Sequence, residues 1–141
     1  MWENILKYII IFVLFSVVGY FYERYIVGKK DTTNPLDKLL NTKLPILPLY
    51  GLCGVILFLI WEKMHVPIIA KIIIAAILLN SVECIAGLAS YNFYRYKTWK
   101  YEKCLGPICH GYVSIVTFTW WTILIAIFFL SLENYKIYQS K

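Results

Sequence analysis

Charged side chains are scarce in this sequence: Asp, Glu, Lys and Arg make up 16% of 141 residues, while 60% is apolar. Soluble domains carry about a quarter of their residues as charge, so a water-soluble fold is excluded. There is no Pro/Gly/Ser-rich linker and no low-complexity tail, and the length allows one domain, residues 1–141. No G-x-x-x-x-G-K-S/T occurs, which excludes ATP hydrolysis on a phosphate loop, and the chain leaves no room for a nucleotide-binding domain. Histidine occurs only twice and cysteine four times. Cys104-x4-Cys109-His110 is not a recognised zinc spacing and has no second pair, so no metal or cofactor is expected. Adjacent residues on a helix point about 100° apart, so Cys109 and His110 make a poor nucleophile–base dyad and no enzyme is expected. His65 reads as an exposed loop residue.

What remains is apolar sequence, with a mean hydropathy of +0.66. Four runs stand out: Ile5 to Val27, Leu44 to Trp61, Val66 to Tyr94 and Cys104 to Leu132. A helix of roughly 17–25 mostly apolar residues crosses about 30 Å of hydrocarbon, so each run qualifies. The expected fold is an all-α polytopic membrane bundle with four transmembrane helices. Met1-Trp2-Glu3-Asn4 has no basic cluster and Phe15-Ser16-Val17-Val18 offers no small-x-small cleavage site, so the first run reads as a retained span.

Lys and Arg bias sets the orientation. Arg24, Lys29, Lys30, Lys38 and Lys43 follow the first run, and Arg95, Lys97, Lys100 and Lys103 follow the third. They outnumber Lys7, Lys63, Lys71, Lys136 and Lys141 on the other side, which puts loops 24–43 and 95–103 in the cytoplasm and both termini outside. The net charge of +6 is then a topology signal that also touches lipid headgroups, and no nucleic-acid partner is implied. Tyr91, Tyr94, Tyr96, Trp99 and Tyr101 read as an aromatic belt at the cytoplasmic edge. Cys53 and Cys84 fall inside spans and Cys104 and Cys109 on the reducing side, so no structural disulfide is expected.

Glu83 is the residue that apolar composition does not explain. It lies twelve positions from both Lys71 and Arg95, or about 18 Å from each flank of a helix. A mid-membrane carboxylate costs on the order of 2.5–3.5 kcal/mol, so it faces the bundle interior or a wet cavity. Ala76, Asn80, Glu83, Gly87 and Ser90 recur at helical spacing as one small, polar stripe, with Ile77, Leu78, Val82, Ile85 and Leu88 over most of the remaining surface. Small residues admit a neighbouring helix, and Asn80 and Glu83 then need hydrogen-bond partners there.

An offset of sixty superimposes Glu23 on Glu83, Gly51 on Gly111, Phe58 on Phe118 and Trp61 on Trp121. The chain therefore reads as two tandem two-helix repeats, 1–61 and 62–134, of like topology, with chance identity in a biased composition as the alternative. Glu23 is shallower than Glu83 and beside Arg24, which leaves either an interfacial ion pair or a site residue. Pro48-Leu49-Tyr50-Gly51 also allows two readings: a helix start with a close helix contact, or a broken helix that exposes backbone to a ligand. Gly106-Pro107 to Gly111 offers the same choice at the head of the fourth run.

In order, Gly19-Tyr20-Phe21-Tyr22-Glu23, Pro48-Leu49-Tyr50-Gly51, Ser81-Val82-Glu83 and Trp99-Lys100-Tyr101 resemble the G-W/Y-x-x-E, P-I-Y-G, S-x-E and W-D-Y signatures of the CmpB-like type IV ABC-transporter permeases, small bacterial integral membrane proteins. Lys100 stands where that family has aspartate, and Ile108 to Gly111 lacks a preceding asparagine. The resemblance implies a multi-pass protein of the bacterial cytoplasmic (inner) membrane, with membrane lipids around it and a separate ATPase subunit as partner. Together with the stripe that carries Asn80 and the sixty-residue offset, it gives a binding set of Glu83, Asn80, Glu23, Pro48, Tyr50, Gly51, Gly111, Trp99 and Tyr101.

Two functions follow. In one, the chain is a permease-like subunit or small transporter or channel, with Glu83 and Asn80 on a polar path and Glu23 nearer its mouth; four spans enclose little space, so a homo-oligomer or partner completes the conduit. In the other, it is an assembly protein whose stripe binds a partner helix without transport, Glu83 being satisfied by Asn80 and a facing tyrosine.

Overall fold

A computed structural model of the chain describes residues 2–22, 25, 48–95, 99, 101 and 105–139. Glu23, loop 24–43 apart from Tyr25, and Lys100 and Cys104 lie outside the described residues, as does most of loop 95–103. Four α-helices occur among the described residues: α1 (Trp2–Phe21), α2 (Pro48–Lys63), α3 (Ile68–Tyr94) and α4 (Ile115–Gln139). A two-stranded hairpin, β1 (Pro107–Ile108) and β2 (Val113–Ser114), precedes α4. Chain contacts divide the molecule into two units, 1–58 and 59–141, with the division inside α2.

α1 is rich in isoleucine, valine and phenylalanine, residues of modest helix propensity in water. No proline interrupts it, and its one glycine, Gly19, lies near its end. Its apolar stretch, Ile5–Phe21, is shorter than those of Ile68–Phe93 in α3 and Ile115–Tyr138 in α4, which are long and apolar enough to cross a membrane. α2 is 16 residues long, about 24 Å. It opens on Pro48, whose missing N–H would be unpaired at a first helical position anyway.

In the first unit α1 and α2 run antiparallel, because Gly19 meets Tyr50, Ser16 and Phe12 meet Gly51, and Phe15 meets Gly54. Gly51 is required by this closeness: an added Cβ would stand 2.7 Å from the Phe12 carbonyl oxygen and closer still to Ser16 Oγ. Near the other end of α1, the Lys7 ammonium sits over the Tyr8 and Phe58 rings at 5.3 and 5.2 Å.

In the second unit the connection Met64 to Pro67, with His65 exposed, links α2 to α3. Lys71 is buried and donates from Nζ to the Trp61 carbonyl at 3.0 Å, placing positive charge at the C-terminal end of α2, where the helix dipole favours it. α3 stops at Arg95, which takes the left-handed conformation (φ 60°) and donates its N–H to the Tyr91 carbonyl at 2.7 Å.

The fourth helix corrects the run boundaries. It begins at Ile115, not near Cys104, because the chain from Gly106 to Gly111 passes through positive φ at Gly106, Cys109, His110 and Gly111. Ser114 and Thr117 then cap it reciprocally: Ser114 N–H donates to Thr117 Oγ1 at 2.9 Å, and Thr117 N–H donates to Ser114 Oγ at 3.1 Å. Gly51 is helical in α2, whereas its offset partner Gly111 lies in the turn between the strands at φ 84°.

Candidate functional site

The small, polar stripe of α3 lies on its buried side. Ala76, Asn80 and Gly87 are buried and Glu83 and Ser90 half-buried, while Ile77, Leu78, Ile85 and Leu88 are exposed. The buried face is wider than the stripe, since Ala75 and Leu79 belong to it too. Asn80 Nδ2 donates to the Ala76 carbonyl at 2.7 Å, the local bond a polar side chain makes inside a helix. Its Oδ1 is buried and accepts no hydrogen bond among the described residues.

Glu83 takes its partner from far along the chain. Tyr101 donates its hydroxyl to Glu83 Oε1 at 3.1 Å, across 18 positions of sequence. Tyr101 is in turn tied to the hairpin, its backbone N–H donating to the Gly111 carbonyl at 2.6 Å. The hairpin pairs Pro107 with Ser114 and Ile108 with Val113, antiparallel, and turns through Cys109, His110 and Gly111. Tyr112 N–H donates to the Cys109 carbonyl at 3.1 Å and Ile115 N–H to the Gly106 carbonyl at 3.0 Å, closing the turn and joining the hairpin to α4.

Tyr112 lodges the hairpin against α3. It is buried, with its ring on the backbone of Gly87, where any Cβ would collide with Cγ and Cδ1. Trp99 covers it edge-on, ring centroids 5.8 Å apart, and donates Nε1–H to the Tyr112 carbonyl at 3.2 Å. Trp99 and Tyr101 are thus half-buried parts of the site: the Tyr112 carbonyl draws in the indole N–H of Trp99, and the Glu83 carboxylate on α3 draws in the Tyr101 hydroxyl.

A second link overturns an expectation. Cys84 and Cys109 are joined by a disulfide, with Cα atoms 6.0 Å apart, inside the range such a bond spans. With Cys84 inside a span and Cys109 on the reducing side, two free thiols are expected; the hairpin instead folds back along α3 and brings Cys109 to the turn of helix that carries Cys84. With both sulfurs bonded, the Cys109–His110 pair has no thiol nucleophile, and His110 points out at the exposed tip. Among the described residues no group of three His, Cys, Asp or Glu side chains could hold a metal ion.

Of the expected site residues, Glu83, Asn80, Trp99, Tyr101 and Gly111 all belong to the second unit, with Glu83, Trp99, Tyr101 and Gly111 joined through the hairpin. Asn80 bonds its own helix rather than Glu83. Pro48, Tyr50 and Gly51 belong to the first unit, where Gly51 makes the close helix contact and the Tyr50 ring stands 6.5 Å from that of Tyr22. Tyr112 and the cysteine pair were missed; the one local sign was the small residue Gly87 on the stripe.

The helices bury Ser16 and Asn80 while exposing Leu6, Ile10, Ile85 and Ile127. Water would demand the reverse. Two helices long and apolar enough to cross a membrane, with apolar side chains turned outward, mark the class as a membrane protein. The chain belongs to the family described as "Putative ABC-transporter type IV", which matches residues 10–139. No curated protein and no solved structure matches it.

Proposed function

We propose that this chain is the membrane-embedded, permease-like subunit of a transporter driven by a separate ATPase polypeptide. The observation that carries this reading is the Glu83–Tyr101 pair, a carboxylate held on the buried face of an apolar helix by a tyrosine that the hairpin anchors. A carboxylate so placed costs several kcal/mol relative to an apolar side chain and is kept where a polar path or partner uses it. Family membership supports the transport class, and the missing phosphate-loop motif assigns ATP hydrolysis to another chain. In this reading all four helices span the bacterial inner membrane, loops 24–43 and 95–103 open on the cytoplasmic side with Tyr101 reaching in to Glu83, and Glu83 and Asn80 line the path. More than one copy of so small a bundle, or the bundle with a partner, encloses the conduit.

The test is recovery of the tagged protein in mild detergent from its own host membranes, with companions identified by mass spectrometry. A stoichiometric ATPase is the expected result. Recovery of the chain alone, or with a membrane protein that has no ATPase, sinks the permease reading and leaves a small channel or the assembly role, in which the stripe binds a partner helix.

A further inference from the structure

Cys84 and Cys109 are the reactive groups that the polar site does not use, and they stand directly beside it. Cys84 follows Glu83 on α3. Cys109 opens the turn of the hairpin, where it and His110 hold φ of 51° and 57°, a left-handed conformation that non-glycine residues adopt only when their surroundings enforce it. Two attachments at Cys109 enforce it: the carbonyl accepts from Tyr112 N–H, and the sulfur is bonded to Cys84. The same turn carries the Gly111 carbonyl, which holds the Tyr101 backbone, and Tyr101 holds Glu83. The attachments form a closed circuit from α3 through the sulfurs, the turn and Tyr101 back to α3. Opening the sulfur link removes the covalent member and leaves the hairpin on hydrogen bonds and the Tyr112 contact. Both cysteines are half-buried.

We propose that Cys84 and Cys109 form a reversible redox site whose closure clamps the hairpin to α3 and holds Tyr101 on Glu83. A thiolate of a dithiol reductant attacks one sulfur, breaking the Cys84–Cys109 bond and forming a mixed disulfide. The reductant's second thiol then displaces the protein sulfur, so that two electrons and two protons pass to the cysteines and the reductant leaves as its own disulfide. Closure is the reverse exchange with an oxidised dithiol. The site works in this way whether or not the chain transports a solute.

The test uses the full-length protein in lipid nanodiscs. A maleimide of high mass is added under denaturing conditions, with and without prior dithiothreitol. Reduction is expected to add two labels to a chain of four cysteines, and the increment is expected to vanish in Cys84→Ser and in Cys109→Ser while persisting in Cys53→Ser and Cys104→Ser. Amide exchange across 107–114 and at Tyr101 is expected to quicken about tenfold or more on reduction, with α1 unchanged, as a local opening requires. The exchange measurement on reduced wild-type protein stands even where a serine variant fails to fold. In intact host cells quenched with acid, the oxidised fraction is expected to rise after treatment with an azo oxidant. Equal labelling with and without dithiothreitol, an increment that survives Cys84→Ser or Cys109→Ser, unchanged exchange, or an oxidised fraction that never varies in cells would each overturn the proposal.

Discussion

Replacing Tyr101 by Phe removes one hydroxyl and leaves the ring, so it takes away the donor to Glu83. Hydrogen bonds to charged groups contribute about 1.5–3 kcal/mol in soluble proteins, whereas polar contacts inside membrane bundles average about 0.6 and reach about 1.7. The donor–acceptor distance of 3.1 Å is longer than the 2.5–2.7 Å usual for a hydroxyl on a carboxylate, which favours the lower range. The expected coupling is therefore about 1 kcal/mol, or about fivefold in the unfolding equilibrium. It is read from a double-mutant cycle of wild type, Tyr101→Phe, Glu83→Leu and the double variant, because each single change also disturbs other contacts. Unfolding in mixed micelles is followed by tryptophan fluorescence, with Trp99 against Tyr112 as a local reporter. Single changes that add without coupling would refute the claim that these two side chains act on each other.

Glu83→Leu should impair function or assembly where Ile85→Ala, on the exposed face, should not; equal tolerance of both in an activity and folding assay removes the polar-core argument. Gly51→Ala should cost about 1–3 kcal/mol by overpacking against Ser16 and Phe12, whereas Leu52→Ala at an exposed neighbour should stay within about 0.5; thermal unfolding in detergent compares them. Ser114→Ala should cost about 0.5–2 kcal/mol through loss of the reciprocal cap, and amide exchange should show the first turn of α4 fraying before the rest.

Apolar composition and the spacing of Ala76, Asn80, Glu83 and Gly87 made the membrane class and the buried face of α3 legible in the sequence, because both follow from helical periodicity and the cost of charge in oil. The helix positions of α1, α2 and α3 were legible for the same reason. The start of α4 was not. Hydropathy counts Gly106 to Ser114 as part of a span, but helix formation there is decided by backbone conformation and by the Ser114–Thr117 cap, to which a hydropathy window is blind.

That Glu83 requires a partner was determined by the chain's own composition, since an isolated carboxylate among leucines and isoleucines is too costly to leave exposed to lipid. Which partner it takes was decided only by tertiary structure. Tyr101 and Cys109 are 18 and 25 positions from the residues they meet on α3, beyond any helical repeat. They arrive together because one short hairpin turns back and seats Tyr112 where Gly87 has no side chain. Periodicity reports which face of a helix is buried; only the path of the following chain decides what buries it.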